Sequence, residues 1–110
     1  MSESKVLKIH RGFFVVSKTL KRMGYKTTKP RKETASGSDI FAIKNDYVLS
    51  VEIKNAIKAS KTRNVLRVRA VSRVNDDLIA IVLPNDYVLV EPMRDHLKCC
   101  GKNGERFLNY

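Results

Sequence analysis

Residues 37–55 read GSDIFAIKNDYVLSVEIKN. Two runs rich in β-branched and aliphatic side chains, residues 38–44 and 47–54, flank Asn45 and Asp46, two residue types that are common in turns. Such runs on either side of a short turn predict an antiparallel β-hairpin. The centre of the chain is therefore expected to supply two neighbouring strands of a sheet.

The register of this hairpin follows from the turn. Loops of two and of four residues give the same pairing, in which Asp39 lies opposite Glu52. Side chains directly opposite each other in an antiparallel pair share one face, with Cβ atoms about 4.5–5.5 Å apart. Lys54 follows Glu52 by two residues and is expected on that face too. The other face receives apolar side chains suited to a core: Ile40, Ala42, Leu49, Val51 and Ile53.

Two facing carboxylates repel each other unless their charge is compensated. Lys54 offsets part of that charge, and a divalent cation that prefers oxygen ligands, such as Mg²⁺ or Mn²⁺, offsets more. Such a cation polarises a phosphoryl oxygen, while an ammonium group orients the attacking water or offsets charge in the transition state. Asp39, Glu52 and Lys54 are therefore a candidate site of phosphodiester hydrolysis. The alternative is a solvated cross-strand cluster of charges.

These residues also resemble a known family. Residues 37–42 (GSDIFA) and 51–55 (VEIKN) look like the motifs of the PD-(D/E)xK nuclease superfamily, closest in layout to archaeal-type Holliday-junction resolvases and small phage or restriction-like nucleases. The order of predicted elements over residues 5–92 agrees with that family. Two features depart from it: Ser38 stands where the family has proline, and residues 5–23 lack the acid that many resolvase-like members carry on the first helix. Glu3 is the nearest acid.

The resemblance implies a fold, an activity and a set of site residues. The fold is α/β and restriction-endonuclease-like, a mixed central β-sheet flanked by α-helices, with a helix favoured over residues 65–74. The implied activity is that of an Mg²⁺-dependent DNA endonuclease, with Mn²⁺ as a substitute and a junction-resolvase-like preference for DNA structure. Asp39, Glu52 and the Ile53 carbonyl would hold the metal, and Lys54 would be the catalytic base or stabiliser. A homodimer is expected, because cutting both strands usually needs two sites.

The charge of the chain predicts a polyanionic partner. The 110 residues carry 22 Lys and Arg against 11 Asp and Glu, a net charge of +11. Ten basic residues fall in residues 1–37, and seven fall in residues 54–75, which contain no acid. Two such segments on one face would bind nucleic acid by releasing counterions. A basic protein that binds DNA without cutting it, or a phage-encoded interaction protein, is the rival interpretation. The candidate DNA contacts are Lys8, Arg11, Lys29, Arg31, Lys32, Lys58, Lys61 and Arg63.

The remaining segments complete the expected layout. The length fits one domain over residues 1–110, with a nuclease-like core at about residues 5–92 and an unassigned tail. Residues 65–74 fit both a strand and a helix by periodicity alone. The other predictions are a helix over 6–23 ended by Gly24, a strand over 25–28, a loop over 29–38, a loop over 56–64, a hairpin of 78–83 with 87–91, and a helix over 93–100.

The cysteines and the apolar runs bear on location. Cys99 and Cys100 are adjacent and are the only cysteines, which excludes a disulfide scaffold and favours a reducing compartment. Together with His96 and the distant His10 they form a weaker candidate zinc site, because the spacing lacks a Cys-x-x-Cys pair. No apolar run reaches the ~18 residues of a membrane span, and the first residues do not look like a secretory signal. We expect a cytoplasmic protein of a prokaryotic, archaeal or phage-infected cell, without a membrane partner.

Overall fold

The computed structural model describes residues 2–28, 39–71 and 74–109, with side chains in the first helix described from Gly12 onward. Within these ranges the chain forms two helices and eight strands. In chain order they are α1 (Ser2–Arg22), β1 (Lys26–Thr28), β2 (Ile40–Lys44), β3 (Tyr47–Asn55), β4 (Ile57–Lys58), β5 (Val65–Val68), β6 (Leu78–Val82), β7 (Val88–Pro92), α2 (Met93–Lys98) and β8 (Arg106–Asn109).

Helix α1 is amphipathic and ends where the glycine predicts. Val16 and Leu20 lie one turn apart and are fully buried, whereas Phe14 faces solvent. Gly24 adopts a φ of 95°, the left-handed conformation that glycine reaches at little cost. The Tyr25 N–H then donates to the Leu20 carbonyl at 3.0 Å, which satisfies one of the last carbonyls of the helix. The predicted end of the first helix is confirmed, and the chain turns directly into β1.

The main sheet has five strands in the order β1-β2-β3-β6-β7. Strands β3 and β6 run parallel and the other neighbours antiparallel, so the sheet is mixed, as the predicted fold class requires. The β2–β3 hairpin pairs Ile40 with Val51 and Lys44 with Tyr47, which confirms the predicted register. Strands β6 and β7 form the second predicted hairpin.

Both faces of the main sheet are covered. On one face, α1 packs against β2, β3 and β6 through Val16, Leu20, Ile40, Ala42, Val51, Ala80 and Val82. On the other face, a second buried cluster joins the main sheet to β5 and α2 through Ala56, Leu66, Val68, Ile79, Ile81 and Met93. The face of the main sheet that carries Glu52 is therefore covered by a second layer of structure. The sequence pattern of the hairpin alone does not predict this layer.

The second layer corrects one expectation. Residues 65–68 form strand β5 of a three-stranded sheet, β4-β5-β8, and not the start of the helix favoured over 65–74. Leu66 and Val68 are fully buried on one side of the strand and Arg67 lies on the other, so the period of two prevails. The expected loop over 56–64 contains the short strand β4, and the unassigned tail supplies β8, which pairs Leu108 with Leu66. Residues 29–38, predicted as a loop, lie outside the described residues, as do 72 and 73.

The stability of the chain should depend on this second layer. Leu66→Ala removes a fully buried side chain, so we expect the free energy of unfolding to fall by about 2–5 kcal/mol. Phe107→Ala is the matched control, because Phe107 lies on the neighbouring strand but is 59% exposed, and it should change stability by less than ~1 kcal/mol. Urea denaturation measures both. Equal losses would contradict the packing of β5 against the main sheet.

Candidate active site

The backbone of β3 holds the Asp39 side chain. The Asp39 N–H donates to the Val51 carbonyl at 3.0 Å and extends the β2–β3 ladder by one bond. One carboxylate oxygen, Oδ2, then accepts a hydrogen bond from the Ile53 N–H at 2.8 Å. Because these contacts come from the backbone of the neighbouring strand, the position of the carboxylate follows from the hairpin register. Asp39 is otherwise exposed, so it is accessible to a ligand.

Glu52 lies opposite Asp39 but in a different environment. Glu52 is 7% exposed, and its neighbour in the parallel strand β6 is the buried Ile79. Burial, followed by a hydrogen bond to Asp39 and the negative charges of Asp39 and Asp76, raises the pKa of Glu52 from 4.5 to about 8. At neutral pH the Glu52 carboxyl therefore carries a proton, which it donates to the carboxylate of Asp39.

Lys54 joins this pair on the same face of β3. The Lys54 side chain is half-buried, and its positive charge acts on Glu52 in the sense that favours ionisation. The Ile53 side chain lies on the α1 face of the sheet, where it packs against the first core cluster, and its N–H donates to Asp39. The structure thus brings Asp39, Glu52 and Lys54 together, with the backbone of Ile53 between the two β3 side chains.

Asp76 is an acid near the site that the sequence patterns did not single out. It lies just before β6, and its charge contributes to the raised pKa of Glu52. The adjacent Asp77 ties the segment before β6 to β3. Its Oδ2 accepts hydrogen bonds from the Ser50 N–H at 2.9 Å and from the Ser50 hydroxyl at 3.2 Å. The sequence does show two acids, Asp76 and Asp77, directly before an apolar strand. They point to the site only when β6 is known to pair with β3.

The predicted DNA contacts separate into two groups. Lys58, Lys61 and Arg63 are exposed on β4 and in the loop that follows. The side chains of Lys8 and Arg11 fall outside the described residues, as do Lys29, Arg31 and Lys32 in their entirety. Helix α1 and the β4–β5 segment cover opposite faces of the main sheet, so the described part of the first basic segment does not converge with the second on one face of that sheet.

The cavity found at the end of the parallel strands lies apart from the carboxyl pair. It measures about 390 Å³ between α1 and the ends of β3 and β6, where Gly12, Asn55 and Val82 contribute to its wall. Asp39, Glu52 and Lys54 do not line it. The carboxyl pair instead meets solvent through Asp39, on the outside of the molecule, which suits a polymer better than an enclosed small molecule.

The zinc alternative at the second helix is not supported. His96 is fully buried with Nδ1 3.2 Å from Arg106 Nη1 and Nε2 3.5 Å from Cys100 Sγ, so both ring nitrogens have partners. Burial and the charge of Arg106 lower the pKa of His96, and Arg106 also pairs with Glu91 of β7. In the described parts of the chain, no three His, Cys, Asp or Glu side chains are grouped as metal ligands. This cluster fastens β8 to the main sheet.

Comparison with known proteins gives a similar fold. The solved structure of the bacterial homing endonuclease I-Ssp6803I matches with a TM-score of 0.72 at 22% identity, over 90% of this chain and 70% of that protein. No protein-family model and no curated protein matches the sequence. The mixed sheet with its helices is therefore an α/β fold that this chain shares with that protein. No helix among the described residues has the length and apolarity needed to cross a bilayer.

The raised pKa of Glu52 predicts a particular pH dependence of stability. Between pH 4.5 and 8 the folded chain keeps a proton on Glu52 that the unfolded chain releases, so the free energy of unfolding should fall as the pH rises through this window. Glu52→Gln removes the titration and keeps a hydrogen-bond donor for Asp39. At pH 8 this variant should be more stable than the unaltered chain by on the order of 1–3 kcal/mol. At pH 5 the two should be nearly equal.

Chemical denaturation at both pH values, in the presence of a chelator, measures this difference. The control is Asp46→Asn, since Asp46 is an exposed acid in the turn of the same hairpin. Its stability relative to the unaltered chain should not change with pH in this way. A stability difference for Glu52→Gln that is the same at pH 5 and pH 8 would contradict the shared proton.

Proposed function

We propose that this chain is a metal-dependent DNA endonuclease of the PD-(D/E)xK type, which hydrolyses phosphodiester bonds. The observation that carries the proposal is the convergence of Asp39, Glu52 and Lys54 on one face of the β2–β3 hairpin. Two further facts support it: the fold is similar to that of a homing endonuclease, and the net charge of +11 favours a polyanionic substrate.

The two carboxyl groups have the chemistry that a divalent cation requires. Mg²⁺ is commonly bound by one or two carboxylates together with waters and substrate phosphate oxygens, and Mn²⁺ accepts the same ligands. Asp39 and Glu52 would hold the ion, with the Ile53 carbonyl as a further ligand. When bound, the ion supplies Lewis-acid polarisation of a phosphoryl oxygen and a lowered pKa for a coordinated water. The proton between Glu52 and Asp39 offsets part of their negative charge, and a bound cation would offset that charge in its place.

Each side chain has a distinct task in this proposal. The Ile53 N–H anchors one oxygen of Asp39, so the other oxygen remains for a ligand. Glu52 must release its proton before it can ligate, and its burial keeps bulk water from weakening its interactions. Lys54 places an ammonium beside the carboxyl pair, where it can orient the attacking water or offset charge on the phosphoryl group in the transition state.

We further propose that the chain acts as a homodimer on branched or duplex DNA. One site cuts one strand, so two copies are needed to cut both strands together. The charge excess and the solvent-facing position of Asp39 suit an extended polymer. Preference for junctions over linear duplexes is the finer part of this proposal and rests on the resemblance of residues 37–42 and 51–55 to resolvase-like motifs.

Cleavage assays test the proposal directly. With Mg²⁺, the unaltered chain should cut at least one of junction, nicked and linear DNA, and a chelator should stop the cutting. Asp39→Asn and Lys54→Met should each lower the rate by about 10²–10⁴-fold, because each removes a group that acts on the reacting phosphate. DNA binding, measured by fluorescence anisotropy without metal, should change little. Asp46→Asn and Lys98→Met are the controls with matched charge changes at exposed positions.

Two outcomes would contradict the proposal. If the unaltered chain binds every DNA form but cuts none with Mg²⁺ or Mn²⁺, the rival function of a non-catalytic DNA-binding protein becomes the better one. If Asp39→Asn and Lys54→Met lose binding and folding together with cutting, the three groups have a structural role instead.

Metal binding should release a proton from Glu52. Since the pKa of Glu52 is about 8, Mg²⁺ affinity should rise between pH 6 and pH 8 as less work is needed to ionise the carboxyl. Isothermal titration calorimetry in two buffers of different ionisation enthalpy should report close to one proton released per ion at pH 7. Glu52→Gln should bind more weakly and release none. An affinity that is the same at pH 6 and pH 8 would argue against Glu52 as a ligand.

A further inference from the structure

We propose that the loop at the tip of β4 and β5 (the two strands and their loop, residues 57–68, are called the basic hairpin) enters the major groove of duplex DNA and reads its base sequence. The inference rests on the proposed function only for the identity of the polyanion, DNA. It does not depend on whether the DNA is cut.

The basic hairpin has the charge that a DNA groove attracts. Residues 54–75 contain seven Lys and Arg and no acid. Glu105 lies 3.8 Å from Arg67 on β5, so the charge available to a phosphate backbone is that of the residues nearer the tip. Lys58, Lys61 and Arg63 are all exposed, at the end of β4 and in the loop. Lysine and arginine at such positions release counterions when they contact phosphates, which supplies affinity that falls steeply with salt.

The loop at the tip is held in one conformation by its own hydrogen bonds. The Ala59 N–H donates to the Val65 carbonyl at 2.9 Å and closes the loop. Within it, the Ser60 hydroxyl oxygen accepts hydrogen bonds from the N–H groups of Thr62 and Arg63, each at 3.2 Å. An ordered tip loses less conformational entropy on binding than a flexible one, so contacts from it are more selective.

The other side of the basic hairpin is anchored to the protein. Leu66 and Val68 of β5 are fully buried against the main sheet, and β8 pairs with the far edge of β5. The tip, from residue 59 to residue 64, lies before the first β5–β8 pair, Val65 with Asn109. The major groove of B-DNA admits a two-stranded β-ribbon, and the tip is the turn between two antiparallel strands, so its shape is suitable as well as its charge.

The basic hairpin lies close to the candidate active site along the chain. Strand β3 carries Glu52 and Lys54 and ends at Asn55, and Ala56 bonds to Val82 of the main sheet before β4 begins. Lys61 follows Lys54 by seven residues, which span at most ~23 Å at ~3.3 Å per residue. One turn of DNA covers roughly 34–36 Å. The separation of the tip from Lys54 is therefore shorter than one turn of duplex DNA.

The side chains of the tip divide by chemistry into two tasks. Lys58 and Lys61 are flexible point charges suited to phosphate oxygens. Arg63 and Asn64 have forked or amide groups that match base edges in the major groove, arginine the O6 and N7 atoms of guanine and asparagine the N6 and N7 atoms of adenine. Arg63 and Asn64 are both exposed. We therefore assign base readout to these two residues and positioning to the lysines.

Binding selection tests the assignment without cleavage. The Glu52→Gln variant of the full chain, with chelator present, is equilibrated with a library of randomised DNA duplexes, and the bound fraction is sequenced. The parent should enrich a sequence motif. Adding Arg63→Ala or Asn64→Ala should relax the preference at one or two positions of the motif, by about 5–100-fold in affinity ratio. Lys58→Ala with Lys61→Ala should leave the motif unchanged.

The double lysine change should act on affinity instead. Anisotropy titrations with one duplex should show binding weakened by about 10-fold or more at 100 mM salt, and the slope of log affinity against log salt reduced by about 2. The matched control is Lys98→Ala with Lys102→Ala, which removes the same charge from exposed positions at the end of α2 and in the segment before β8. The control should weaken binding less than 3-fold. Circular dichroism should show all variants folded.

Three results would overturn the inference: the parent enriches no motif, the motif survives both Arg63→Ala and Asn64→Ala, or the lysine pair matters no more than the control pair. Tighter binding to duplex RNA than to duplex DNA would also count against it, because side chains cannot read the deep, narrow major groove of RNA. Loss of cleavage alone has no bearing on these measurements, so failure of the active-site proposal and failure of this one are separable.

Discussion

The pairing of β3 on both of its edges determines the properties of the candidate site. On one edge, β2 brings Asp39 opposite Glu52 and lets the Ile53 N–H hold the Asp39 carboxylate. On the other edge, the parallel strand β6 places Ile79 beside Glu52 and removes that side chain from water. The first edge therefore sets the geometry of the carboxyl pair, and the second sets its electrostatics.

This division gives two chemically identical groups different behaviour. Asp39 is exposed and anchored, whereas Glu52 is buried and holds its proton to a pKa of about 8. Environments that separate the protonation of two neighbouring carboxyls are common at functional sites. Here the separation has a simple origin, because the hairpin brings the groups together and the layer of β5 and α2 covers the strand that carries one of them. The Lys54 charge limits the shift and does not abolish it.

The parts of the structure that sequence could predict are those fixed by local pattern. The β2–β3 register followed from the turn, since loops of two and four residues give the same pairing, and Gly24 marked the end of α1. Residues 65–74 fit two periodicities, and the resemblance to a nuclease family favoured the wrong one. Leu66 and Val68 form a strand because their side chains pack on the second face of the main sheet, and because β8 lies beside β5 and pairs Leu108 with Leu66.

Asp76 was missed for a related reason. Its position beside the site depends on the parallel pairing of β3 with β6, which makes Val51 and Leu78 neighbours. In the sequence these two strands are separated by β4 and β5, which belong to the other sheet. No spacing rule predicts such a contact. The basic residues show the same limit: their clustering in the sequence was plain, but α1 and the β4–β5 segment lie on opposite faces of the sheet.

The contrast between the two edges of β3 also bears on the order of folding. The β2–β3 pairing closes a short loop, and hairpins of this kind form within about 1–10 μs, whereas the β3–β6 pairing must wait for a much longer closure. On these timescales we expect Glu52 to meet Asp39 while Glu52 is still hydrated and ionised, and the strand that desolvates it to pair afterwards. Uptake of the proton is coupled to that later step, so alkaline solution should retard the assembly of the sheet without hindering the formation of its first hairpin.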